Sequence, residues 1–145
     1  MIGNLLLGLG VMVLCLFVQA LLVVVAIQYY VRHGEIVDSP TAGSTLAMIG
    51  VVMVMLVLGN FVQIGIWAQL FVLLGEFEDF GTALYHSAVN FATLGYGDIV
   101  MSEDRRILGP MQSINGVLMV GVSTAVMMSA LQDALKRTHQ ARQQD

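Results

Sequence analysis

Charged residues leave three long gaps in this chain, with none in 2–31, none in 41–75 and none in 107–132. Each gap exceeds the roughly 20 apolar residues that carry a helix across a bilayer's hydrocarbon core, so the pattern predicts three membrane-spanning helices. The first gap lacks the basic leading region of a secretory signal and is about twice as long as a signal's apolar core; it reads as a helix that is kept. The first two gaps are longer than the core requires, so tilt or protrusion beyond the lipid is expected.

The polar punctuation divides the rest. Residues 32–45, RHGEIVDSPTAGST, combine charge, proline and glycine and read as a loop. The expected organisation is a first helix at 1–33, a loop at 34–45 and an outer helix at 46–75, which ends where Glu76, Glu78 and Asp79 mark an aqueous face. Residues 80–92 are semi-apolar and too short to span, a length that suits a re-entrant helix. Asp79 is placed to cap it, and the acidic residues before it suit the positive end of a helix dipole. TLGYGD follows at 93–98, a glycine-rich turn between two segments that belong in lipid. IVMSEDRRILGP is polar again, which returns the chain to the side it left, before an inner helix at 107–135 and a tail at 136–145.

Composition agrees with the pattern: 57% of the 145 residues are hydrophobic, 11% are charged, and mean hydropathy is +0.82. That is far from the balance of a water-soluble globular domain, and the fold class expected is an all-α membrane protein. The net charge of −4 is scattered, with no basic run for nucleic acid. Cys15 has no partner in the chain for a disulfide and reads as a small buried hydrophobe. No Ser/His/Asp arrangement, phosphate loop or dense metal-ligand cluster points to an enzyme or a resident cofactor. Irregular backbone at membrane depth must be buried in protein or line a water-filled cavity. One chain with one re-entrant segment cannot enclose it, so several copies around an axis are expected.

Thr93-Leu94-Gly95-Tyr96-Gly97-Asp98 resembles the selectivity filter of the potassium-channel pore family, with Leu94 where the family usually has Val. K⁺ channels are the type case of selectivity by rings of backbone carbonyls from four loops. The resemblance covers roughly 46–135, with the pore helix ALYHSAVNFAT carrying Tyr85 and His86 in the family's paired aromatic positions. It implies a homotetramer with three transmembrane helices, a re-entrant pore helix and a filter loop per chain. K⁺, the permeant ion, would sit on the carbonyls of Thr93, Leu94, Gly95 and Tyr96, with Gly97 completing the filter. Gly95 and Gly97 allow the positive φ that turns successive carbonyls inward. Leu94 and Tyr96 would point outward into packing, and Asp98 would accept a hydrogen bond from Tyr85 as filter support. Gly121 matches the family's mid-helix hinge, with a cytoplasmic constriction expected near Ala130 and Ala134.

The family's filter faces outward, so the resemblance implies a multi-pass protein of the cell membrane with the N-terminus outside and the C-terminus cytoplasmic. Arg32, Lys136, Arg137 and Arg142 then fall inside, against Arg105 and Arg106 outside, in keeping with the positive-inside rule. The alternatives are a non-conducting or regulatory subunit with a channel fold, and a K⁺ transporter component. Asn90, Asn115, Gln19 and Gln63 are expected to bond within or between helices. Ser123 and Thr124 line a cavity or bond their own helix. Gly109 and Gly116 read as packing notches, and Glu103, Asp104, Arg105 and Arg106 as a solvated rim. His86 reads as aromatic packing, with a pH sensor as the alternative.

Overall fold

The computed structural model describes residues 1–36 and 42–141. They form α1 (Ile2–Ile36), α2 (Ala42–Leu73), α3 (Phe80–Phe91) and α4 (Leu108–Ala141), with no strand among the described residues. Helices α1, α2 and α4 are each long and apolar enough to cross a membrane. Even α2, with 32 residues, runs about 48 Å at 1.5 Å per residue, well beyond the hydrocarbon core. The chain is an all-α membrane protein.

Helix ends differ from those expected. α1 continues to Ile36 and α2 already begins at Ala42, inside the loop assigned to 34–45; residues 37–41 lie outside the described residues. α4 continues through Ala141 into the stretch read as a tail, whose last residues, 142–145, also lie outside them. Charge was used to mark these boundaries, but charge marks where lipid ends. Lys, Arg, Gln and Ala are good helix formers, so a helix can run on into water.

Polar side chains tie α1 to α4 or the segment before it at three depths, and to α2 at the middle one. At one end Asn4 Nδ2 donates to the Asp104 carbonyl at 2.7 Å. Midway, Gln63 Nε2 donates to Gln19 Oε1 at 2.7 Å, and Gln19 Nε2 donates to Ser123 Oγ at 3.0 Å, all of it buried. At the other end Tyr30 Oη donates to Asp133 Oδ2 at 3.0 Å. Contacts advance together along α1 and α4, whereas from Gln19 on Gln63 to Leu22 on Gly59 they run in reverse along α2, so α1 runs parallel to α4 and antiparallel to α2. Each such interhelical bond contributes roughly 1 kcal/mol, but together they fix register, which apolar faces alone leave loose. Ser123 therefore faces its own chain's interior, whereas Thr124 bonds back to the Val120 carbonyl at 2.9 Å on the exposed face of α4.

Helix α3 has 12 residues, about 18 Å, and enters the bundle without crossing it. Asp79 Oδ1 accepts from the Thr82 amide at 2.9 Å, which starts the helix as the sequence expects. Ser87 Oγ donates to the Ile64 carbonyl of α2 at 2.7 Å. From α4, Gln112 Nε2 donates to the Ser87 carbonyl at 3.0 Å and Ser113 Oγ to the Asn90 carbonyl at 2.8 Å. Where α3 ends it lies directly on α4: a Cβ built at Gly116 would overlap the Phe91 carbonyl and stand 3.0 Å from Phe91 Cα. At Gly121 an added Cβ meets nothing within 4 Å.

The two glycines should thus respond oppositely to alanine. Gly116→Ala is expected to destabilise the chain by about 1–3 kcal/mol, because it strikes backbone that cannot rotate aside. Gly121→Ala is expected to be neutral or stabilising by up to about 1 kcal/mol, the helix-propensity gain. Thermal unfolding of the two variants in mild detergent checks this, and equal destabilisation would contradict the packing described.

Candidate functional site

Two helices in this chain end by the same device. At the end of α2, the Gly75 amide donates to the Val72 carbonyl at 2.9 Å and the Glu76 amide to Phe71 at 3.0 Å, with Gly75 at φ 71°. This is the Schellman motif, whose left-handed residue is usually glycine. At the end of α3, the Thr93 amide donates to Asn90 at 2.9 Å and the Leu94 amide to Val89 at 2.9 Å. Here the left-handed residue is Thr93, at φ 59°. A β-branched residue in that region is strained by about 1–3 kcal/mol, which nothing in the sequence had signalled.

The left-handed backbone then recurs at every second position, with Gly95 at φ 57° and Gly97 at φ 73°. Alternating handedness of this kind collects N–H groups on one side of a strand and carbonyls on the other. Among the described residues, no hydrogen bond is accepted by a carbonyl of 93–97. The loop starts beside Gly116 and Ile64, well inside the length of α4 and α2, and climbs toward the end where Asn4 meets Asp104. Leu94 and Tyr96 are 55% and 66% exposed, so nothing in one chain covers the side chains that the sequence expects to pack.

The outer end of the loop is held from several directions. Tyr85 Oη donates to Asp98 Oδ2 at 2.7 Å. That bond is the main reason the Asp98 carboxyl lies below the usual carboxylate range and the Tyr85 phenol above its own. His86 Nδ1 lies 3.0 Å from the Ile99 carbonyl, and its Nε2 lies 2.8 Å from Asn90 Nδ2. Glu76 accepts from the Ser102 amide at 2.8 Å, from Ser102 Oγ at 2.7 Å and from Arg105 Nη1 at 3.3 Å. Arg105 also donates to the Leu74 carbonyl just past α2. Burial raises the Glu76 pKa, but the bonds from Ser102 and the Arg105 charge outweigh it and leave it lowered. Residues expected on an aqueous face and a solvated rim thus form a clamp from the end of α2 to the segment before α4. Ser87, Ser102, Gln112 and Ser113 were missed, and their one signal was a polar residue beside or inside an apolar run.

The remaining expected positions lie along α4. Ala134 is buried in its own chain beside Ala26, Tyr30 and Ile49, and Ala130 packs on the same cluster while its carbonyl accepts from Tyr30 Oη at 3.3 Å. Both alanines thus lie where α4 meets α1 and α2. Gly121 lies on the exposed side of α4.

A family model described as "Ion channel" matches residues 62–133, which takes in the end of α2, α3, the 93–98 loop and most of α4 and leaves α1 outside. No curated protein and no solved structure matches the chain.

Because the folded pKa of Glu76 is lowered from 4.5, the stability it contributes is present above about pH 4.5 and is lost as pH falls through the lower folded value. Glu76→Gln is expected to cost roughly 1–2 kcal/mol at neutral pH, toward the low end for a charged hydrogen bond because Arg105 remains a third exposed. It should also remove part of the acid sensitivity. Thermal melts of both proteins between neutrality and about pH 4 test this.

Proposed function

Residues 62–133 match an ion-channel family model, and from the backbone they carry at 93–97 we propose that the chain is the subunit of a K⁺-selective channel. Four copies surround one axis, each turning the carbonyls of Thr93, Leu94, Gly95 and Tyr96 toward it, with Gly97 and Asp98 at the mouth. The observation that carries this reading is the alternation of left-handed residues at Thr93, Gly95 and Gly97, together with carbonyls that accept no hydrogen bond among the described residues. In lipid such carbonyls would be costly; around a shared axis they replace the hydration shell of a dehydrated cation.

Thr93 supports the same reading. Gly75 performs the identical helix ending without strain, so a threonine in that position is best explained by its side chain, whose hydroxyl adds an innermost ring of oxygens. The C-terminus of α3 directs its partial negative charge at the cavity below. Exposed Leu94 and Tyr96 are covered by neighbouring copies, with Leu94 altering filter packing rather than the ligands themselves. Thr124 and Gly121, on the exposed face of α4, line the cavity, and α4 bends at Gly121. The start of α1 and the outer end of the loop share one membrane face, which in this reading is the outside of the cell membrane, leaving the C-terminus cytoplasmic. Conduction is passive and requires no catalytic residue.

Purified protein in liposomes should pass K⁺ in clear preference to Na⁺ and should have the mass of four chains in mild detergent. A monomer, or equal flux of both ions, overturns the reading. Tyr85→Phe and Asp98→Asn should each change filter inactivation, and the double variant should add little to Tyr85→Phe, because both act on the same bond, one by removing its donor and the other by removing the acceptor's charge. Single-channel records in which the two effects add would show the residues acting independently.

A further inference from the structure

His86 stands where α3, the segment after the loop and the α2–α3 link meet. Its ring packs in an edge arrangement with Phe71 of α2, with centroids 5.7 Å apart, and tilted against Phe77 of the link at 4.9 Å. The packing expected from sequence is thus present on the ring's faces, but both nitrogens are engaged as well. The Ile99 carbonyl, 3.0 Å from Nδ1, can only accept, and the Asn90 amide nitrogen, 2.8 Å from Nε2, can only donate. Both contacts are satisfied together only by the neutral ring with its proton on Nδ1. A second proton, on Nε2, would face the Asn90 NH₂ group, so either that amide must turn or the ring must leave.

Both partners lead to the loop. Ile99 follows Asp98, the acceptor of the Tyr85 bond. The Asn90 carbonyl takes the Thr93 amide that ends α3 and the Ser113 hydroxyl of α4. We propose that His86 is a positioning residue for the 93–98 loop, tying Ile99 to Asn90 as the neutral imidazole and releasing the outer end of the loop when protonated, so that conduction falls as pH drops. This rests on the channel reading above.

The surroundings set the direction of the response. His86 lines a cavity of about 460 Å³ with Asn90, Ile99, Glu103 and Arg106, which gives a proton a way in. Glu103 and Arg106 carry opposite charges there; Asp98 faces the ring from the loop and Glu76 from the α2–α3 link, the latter engaged by Arg105. Phe71 on α2 and Gly109 and Pro110 on α4 bring no charge. Burial lowers the proton affinity of His86; the Ile99 contact and the two carboxylates raise it, but the net shift is below 6.5. A group shifted this way contributes its stabilisation in full above the ordinary imidazole range and loses it as pH falls through the folded value.

The test uses full-length wild type, His86→Gln and Asn90→Asp in liposomes, with K⁺ flux read from about pH 7.5 to about 5.5 and the imidazole titration of His86 followed by NMR. Wild-type flux should fall several-fold toward the acid end. In His86→Gln the new side-chain amide can still donate to the Ile99 carbonyl but cannot titrate, so flux at neutral pH should survive and the acid decline should vanish. In Asn90→Asp the new carboxylate can accept from Nε2–H of His86, so the protonated ring keeps both partners: the NMR midpoint should rise by about 1–2 pH units while the acid fall in flux weakens. A flat wild-type profile, a decline that persists in His86→Gln, or an unmoved NMR midpoint or an undiminished acid decline in Asn90→Asp overturns the proposal. If wild type passes no K⁺ at any pH, the channel reading fails instead. The NMR midpoint in Asn90→Asp then decides whether His86 is held as described, and no shift overturns it.

Discussion

A peptide group inside a bilayer has no water to bond, so backbone at that depth must satisfy itself or be satisfied by protein. Helices α1, α2 and α4 meet this demand internally along their whole length, which is why three long apolar stretches can stand in lipid with no other support. The backbone from Thr93 to Asp98 leaves the helical pattern beside Gly116 and Ile64, well inside the length of α4 and α2. The remaining architecture can be understood as what is needed to deliver that short piece to its place and hold it there.

Delivery is the work of α3, too short to span and therefore obliged to be anchored sideways. Its anchors are polar and come from both neighbours: Ser87 reaches the Ile64 carbonyl of α2, while Gln112 and Ser113 of α4 reach back to Ser87 and Asn90. In an apolar environment these bonds supply direction where hydrophobic burial supplies none, because lipid tails are as apolar as the side chains that would exclude them. Gly116 completes the seat by letting the Phe91 carbonyl approach α4 more closely than any side chain would allow. On the far side the Glu76, Ser102 and Arg105 clamp fixes the return path. α1 braces α2 and α4 from outside the family-matched region through the Gln19 pair and the Tyr30–Asp133 bond.

Strain is concentrated where the channel reading places ions. Gly75 and Thr93 occupy equivalent positions in two copies of one helix-ending motif, and only the copy that opens the loop carries a side chain disfavoured there. Residues held in such conformations persist when the surrounding structure over-determines them. Here the bonds to Asn90 and Val89 and the seat on Gly116 do so.

Hydropathy determined the three spans and the short helix before the last of them, and the glycines of TLGYGD the irregular loop that follows it, because transfer between water and lipid and a glycine's turn preference are properties of each residue by itself. The cap at Asp79 was equally legible, since it depends on residues three apart. Partner choice was not: that Ser123 meets Gln19, that Glu76 leaves the aqueous face for Ser102, that Ala134 is consumed within its own chain and that Gly116 rather than Gly121 receives a neighbour's backbone all depend on the rotation and register of one helix against another. Residues distant in the chain set those variables jointly. The left-handed Thr93 belongs with them, because its own preference opposes the conformation and only the packed end of α3 imposes it.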